Sequence, residues 1–351
     1  MPPLSTALAR HRELGPEFRS TRALKGHFAP VPAASLRALL CQMGPFVPSH
    51  DAFRFSNGDS GGWAITEADA PAIRSRFSAA ITPVAEAGLS SLRSALLAFP
   101  VPLPEAAVEE VVHSVRGAFV SAVTDLVIGV IPGRYGRCGG MAFAGLDLFL
   151  AGLPVDESLG TAPPDGGPLR DYIFRRLLDS LDDNAGTFFQ WAADLYALPV
   201  MSRLATAALG AGVGSVAGAL GTAIGAYIGG SVDVLHLGGP RLLNVHTAEN
   251  LRLLCKRLDL FPAWPIGLVY GDSANPIDQH QILALSYADG GTGVLRLDVW
   301  DNNHRNTADA WTIDGSSESL SVVGPSRPVR GIICERYKRA IPPPALHLSP
   351  T

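Results

Sequence analysis

The order of hydrophobic and polar positions divides the chain into a helical part followed by a strand-rich part. Between Pro104 and Ile131, Val108, Val111, Val112, Val115 and Phe119 recur at helical spacing behind an acidic start of Glu105, Glu109 and Glu110. A second helix is expected from Cys138 to Leu153, with Gly152 and Pro154 as its stop signals. A third over Leu169–Leu181, a fourth near Thr187–Leu198 and a fifth over Thr247–Arg257 follow. Strand-like runs then appear at Ile266–Tyr270, Gln281–Tyr287, Val294–Trp300 and Val329–Tyr337. Helices first and an antiparallel sheet later define an α+β chain. Residues 1–75 read as irregular, with turn-rich stretches at Gly44–His50 and Ser56–Gly62. The expected division is an irregular or helical N-terminal region 1–103, a main α+β domain 104–340 and a tail 341–351.

One stretch breaks the amphipathic pattern. Leu204–Val232 carries no charge over 29 positions, about 44 Å as a helix at 1.5 Å per residue. Gly210, Gly214 and Gly218, and again Gly221, Gly225 and Gly229, are spaced in fours, the small-xxx-small pattern of close helix packing. Most other positions are Ala, Ser or Thr, so two readings stand: a Gly/Ala helical insertion packed on the protein body, or a membrane-active or self-associating segment. This stretch contributes much of the positive mean hydropathy of +0.20.

Charge and cysteine content narrow the classes. The 28 Lys+Arg against 32 Asp+Glu give a net charge of −4, with no basic excess to draw nucleic acid. Cys41, Cys138, Cys255 and Cys334 form no CxxC pair and no zinc spacing, which argues for a reducing compartment, no metal and no disulfide framework. No cofactor motif stands out. The start of the chain lacks an apolar leader, so a cytoplasmic location is the expectation, with membrane association or signal-independent export as the alternatives.

The string Gly58–Asp59–Ser60–Gly61–Gly62 matches that around the nucleophile of trypsin-like peptidases. Too little chain precedes it to build the barrel that carries the rest of that triad, so it reads as a Gly/Ser turn. A stronger signal lies at Arg137–Cys138–Gly139–Gly140, where a thiol opens a helix. The helix dipole favours a thiolate there, Arg134 and Arg137 add positive charge nearby, and the glycines leave room for a substrate backbone. In the strand-rich part, a two-residue turn at Gly290–Gly291 pairs Ile282 with Val299, Ala284 with Leu297, Ser286 with Leu295 and His280 with Asp301. Cross-strand partners at about 4.5–5.5 Å let the carboxylate orient the imidazole. A longer loop brings Asn302 or Asn303 into that place instead. A helix-opening Cys with a His and an acidic or amide partner is the layout of cysteine-nucleophile catalysis.

The order Cys138, His280, Asp301 resembles papain-like cysteine peptidases. The strings GRCGGMAFAGLDLFLAGLPV, PLRDYIFRRLLDSL, PIGLVY, DQHQILALSY and DVWDNNH are similar to an uncharacterised microbial group that reads CGGM, NHQVLA and YDPNHP, over about residues 124–340. The resemblance implies a papain-like fold with the Cys-bearing helix packed on an antiparallel sheet. It also implies a peptidase or amidase-like hydrolase or acyltransferase, with Cys138 as nucleophile, His280 as base and Asp301 as orienter. Gln279, Asn302 and Asn303 are candidates for orienting or oxyanion support, and the substrate is a peptide, amide or ester. Pro132 stands where papain-like enzymes carry a Gln, which leaves the second oxyanion donor unassigned. An alternative reading is an inactive scaffold of this kind that acts on a membrane or partner through residues 204–232.

Overall fold

The computed structural model describes residues 44–58, 63–97, 104–110, 112–113, 116–117, 120, 136–155, 160–184, 186–188, 240–271, 279–291, 293–315 and 320–346. The glycine-spaced stretch 204–232, Cys41, Arg134, most of the helix expected up to Ile131 and most of that near Thr187–Leu198 lie outside them. Among the described residues, no helix is long and apolar enough to cross a membrane.

The described chain is α+β. Four longer helices frame it: α1 (Ala70–Leu97), α2 (Cys138–Leu150), α3 (168–184) and α4 (Pro240–Leu258). Six strands follow α4: β1 (Trp264–Tyr270), β2 (His280–Gly291), β3 (Val294–Trp300), β4 (Asp309–Asp314), β5 (Ser321–Val323) and β6 (Val329–Cys334). All neighbours are antiparallel, in the order β5-β4-β3-β2-β1-β6. Strands β4 and β5 were not foreseen, and α4 begins seven residues before the expected Thr247.

Alternation along the strands divides the core. Ile282 and Ala284 of β2, with Leu295, Leu297 and Val299 of β3, pack in one cluster with Leu251 and Leu254 of α4. Leu283 and Trp300 turn the other way and pack with α2 through Met141, Phe143 and Leu146. Every residue of β1 is buried, as a strand covered on both faces requires. Phe46, Phe53, Phe55 and Trp63, from the stretch read as irregular, complete the α2 cluster. Trp300 lies 5.9 Å from Phe46 and 6.0 Å from Phe53, centroid to centroid, which fixes the end of β3. Ile73, Phe77 and Ile81 seat α1 against Leu177 of α3.

Helix α2 ends three residues before the expected Leu153, and by the expected signal. Gly152 takes a left-handed φ of 66°, Leu153 N–H donates to Leu148 O at 3.0 Å and Gly152 N–H to Phe149 O at 2.9 Å. These are the two bonds of a Schellman stop, which an L side chain at position 152 would strain.

Candidate active site

The site forms where the N-terminus of α2 meets the start of β2 and the turn after β3. Cys138 is the first residue of α2, and the first helical bond runs from Met141 N–H to Arg137 O at 2.9 Å. The N–H groups of residues 138–140 therefore precede the helical ladder and stay free for other acceptors. Two backbone N–H groups, those of Gly139 and Gln281, point at the Cys138 sulfur, and the thiol shares a hydrogen bond with His280. His280 Nε2 lies 2.7 Å from Asp301 Oδ1, both side chains being largely buried. Asn303 N–H donates to the same Oδ1 at 2.9 Å, and the Asn303 amide lies 3.0 Å from Nε2.

The electrostatics of the three groups are coupled. Burial pushes the Cys138 thiol up, but the hydrogen bond and charge of His280, with the two N–H groups, hold it below its ordinary value. Burial pulls the His280 imidazole down, yet Asp301 and the Cys138 sulfur raise it to about 10. Burial raises the Asp301 carboxyl, and its bond to His280 outweighs this and keeps it low. Together these effects favour the thiolate–imidazolium pair, with the Asp301 carboxylate beside it, over the neutral thiol and imidazole. By contrast, burial pushes Cys255 and Cys334 up to about 12, which leaves them as neutral, inert thiols.

The route by which Asp301 reaches His280 differs from the expected register. The hairpin turns two residues later, with Gly291 opposite Val294, and Ala284 lies opposite Val299 instead of Leu297. His280 itself pairs with Leu268 of β1. The slip at the start of β2 is two residues, and an even slip keeps every side chain on its own face. Asp301, in the turn just past β3, is thus a diagonal neighbour of His280 and closes on it from there.

The supporting candidates separate into three roles. Asn302 is fully buried and its Nδ2 donates to Cys138 O at 2.9 Å and Gln281 O at 2.8 Å, which staples α2 to β2. Asn303 faces the His280–Asp301 pair. Gln279 accepts from Tyr270 N–H at 2.9 Å through its side-chain oxygen, so that oxygen serves the edge of the sheet. Arg137 points away from the thiol: its buried guanidinium bonds Trp63 O, Ala64 O and Asp69 and lies over the Trp63 and Phe174 rings. Its charge therefore does not serve Cys138, contrary to the sequence expectation.

Three further residues carry the site and were not singled out. Asn57 accepts from Arg137 N–H at 2.5 Å, donates its own N–H to Asn302 O at 2.7 Å and extends its Nδ2 to Asn303 Oδ1 at 3.3 Å. It bridges the turn before Cys138 and the turn after β3. Its only sequence signal is an Asn-Gly step in a loop. Gln281 and Glu335 lie under the helix start, joined by a bond of 2.6 Å from Gln281 Nε2 to Glu335 Oε1.

The glycines after Cys138 have a different use from the one expected. A Cβ on Gly139 would lie 1.7 Å from Gln281 Oε1, and one on Gly140 would lie 2.1 Å from the backbone oxygen of Ile173. Both face inward, onto β2 and α3, and give room for packing and not for substrate. Gly140→Ala should therefore cost about 1–3 kcal/mol or more, because a helix backbone cannot step aside as a side-chain tip can. Chemical denaturation checks this, and an unchanged midpoint would refute it.

Among the described residues, no group of His, Cys, Asp and Glu side chains is arranged to hold a metal ion. Compared with protein-family models, with curated proteins and with solved structures, the chain matches none.

Proposed function

We propose that the protein is a cysteine-nucleophile hydrolase or acyltransferase of papain-like design, acting on an amide or ester carbonyl. The observation that carries this reading is the His280 imidazole, which hydrogen-bonds both the Cys138 thiol and the Asp301 carboxylate. Asp301 occupies Nε2, so Nδ1 is the nitrogen that serves Cys138. In the first step the thiolate attacks the carbonyl carbon, a C–S bond forms and the carbonyl π electrons move to oxygen. The orphan N–H of Cys138 at the helix start is the natural donor to that oxyanion. As the intermediate collapses, the bond to the leaving amine or alcohol breaks and His280 gives its proton to it. Neutral His280 then takes a proton from water or an acceptor amine, which attacks the thioester and releases the thiolate.

Treatment with limiting iodoacetamide at pH 6–7, followed by peptide mapping, tests the reading. Cys138 is expected to react first, and Cys255 and Cys334 at least about 100-fold more slowly, since a thiol near 12 holds almost no thiolate there. Cys41→Ser, Cys255→Ser and Cys334→Ser should keep the fast labelling and Cys138→Ala should lose it. The same Cys138 should give a burst of nitrophenol from p-nitrophenyl acetate. Equal labelling of all four cysteines would overturn the proposal.

A further inference from the structure

Behind the thiol lies a carboxyl that the proposed reaction does not use. Glu335 follows β6 directly, is 2% exposed, and is tied to β1 through its backbone: its N–H donates to Pro265 O at 3.1 Å and its carbonyl accepts from Trp264 Nε1 at 3.0 Å. Its Oε1 accepts from Gln281 Nε2, while Oε2 is buried with no partner among the described residues. Gln281 in turn receives the Ser180 hydroxyl of α3, 3.2 Å from its Oε1. Its backbone N–H faces the Cys138 sulfur, and its backbone oxygen accepts from Asn302. One side chain thus joins Glu335 to the strand residue that touches the nucleophile.

We propose that Glu335 is a positioning residue for Cys138 and a proton-dependent switch on its reactivity, acting through Gln281 and through its own charge. The inference rests on the reading of Cys138 as the nucleophile. A buried carboxylate with one bare oxygen and no paired cation is costly, whereas the neutral acid is tolerated. Burial accordingly raises the Glu335 carboxyl to about 8 against the opposing pull of the Gln281 bond. Two titratable groups act on it across the helix–sheet junction: the Cys138 sulfur on α2, which pushes it up, and His280 on β2, which pulls it down. Ser180 of α3 and Trp264 of β1 do not titrate, and the thiols of Cys334 on β6 and Cys255 on α4 stay neutral. Arg257 of α4 stacks on the Trp264 ring.

The sign follows from the order of these effects. Below about pH 8 Glu335 is neutral, Gln281 is held and the thiolate–imidazolium pair stands alone. Above it, a negative charge appears beside the thiolate and disfavours it, well before His280 loses its proton near 10. The rate of Cys138 alkylation by iodoacetamide, followed from pH 6 to 10 on the full chain, should fall severalfold through an inflection near pH 8. Glu335→Gln keeps shape and neutrality and should abolish that inflection. Gln281→Met removes the one bond that favours the ionised form, so the inflection should move to higher pH. That variant decides the matter if Glu335→Gln does not fold. Selective labelling of Cys138 with the same inflection in wild type and variants would overturn the switch. Failure of selective labelling would instead overturn the nucleophile reading.

Discussion

Replacing His280 with alanine is expected to slow Cys138 alkylation at pH 6 by at least about 100-fold, with the gap closing toward pH 9. Burial alone raises the thiol, and His280 supplies the largest effects in the opposite direction. Without it, the N–H groups of Gln281 and Gly139 remain, but the compensating positive charge is gone. An ordinary thiol near 8.5 is only about 0.3% ionised at pH 6, whereas a thiol held below its ordinary value by a paired imidazolium is ionised to a greater extent there. Acyl transfer should suffer further, by roughly 10²–10⁴ in all, because the leaving group also loses its acid. The upper limb separates the two roles. Above about pH 10 His280 surrenders its proton, so turnover should decline while simple alkylation, which needs no acid, persists. Asp301→Asn keeps a hydrogen-bond acceptor for Nε2 but removes the charge, and it should move that upper limb to lower pH. Equal alkylation of wild type and His280→Ala at pH 6 would show that the imidazole does not govern the thiol.

Sequence patterns made the main parts of this arrangement legible. Where the signal was periodic or covalent, as in the apolar runs of β1 and β3, the helix-opening Cys138 and the Gly152 stop, the reading and the structure agree. The hairpin register did not follow from the glycines alone, because Asp289 to Gly293 offers several turns and the chain uses the later one with a bulge. The His280–Asp301 contact survived since the slip was even and the turn after β3 is set by the packing of Trp300. Strand β4 alternates weakly and β5 has three residues, too few for a period to register. Asn57, Gln281 and Glu335 could not be read from their neighbours in sequence. Each acts across a gap of tens to hundreds of residues, in loops or at strand ends where any polar residue fits the local pattern. The glycines at 139 and 140 show the same limit. Their presence was plain, but only the position of Ile173 and Gln281 reveals which way they face.

Asp147→Ala should lower stability by about 3–5 kcal/mol, the usual cost of breaking a buried ion pair by removing one partner. Asp147 is the one charged residue on α2, fully buried two turns beyond Gly140. Its Oδ2 lies 2.6 Å from Arg176 Nε and accepts from Tyr172 OH at 2.9 Å, both on α3. Oδ1 accepts from Tyr337 OH at 2.6 Å and from Ala340 N–H at 2.9 Å. One carboxylate thereby joins the helix carrying Cys138 to α3 and to the chain that follows Glu335. Arg176, itself buried, also pairs with Asp179 and donates to Lys338 O, and its guanidinium lies over the Phe143 and Tyr337 rings. Removing the carboxylate leaves this guanidinium with Asp179 as its remaining carboxylate and strands two phenols and a backbone N–H. At about 2–4 °C per kcal/mol for a chain of this size, the melting temperature should fall by roughly 10 °C. A partner test separates charge from packing: Asp147→Ala combined with Arg176→Met should cost less than the sum of the two single changes, because the second removes the buried charge that the first deprives of its Asp147 partner. A loss below about 1 kcal/mol in the single variant, measured by denaturant unfolding, would mean that α2 is held by its apolar face alone.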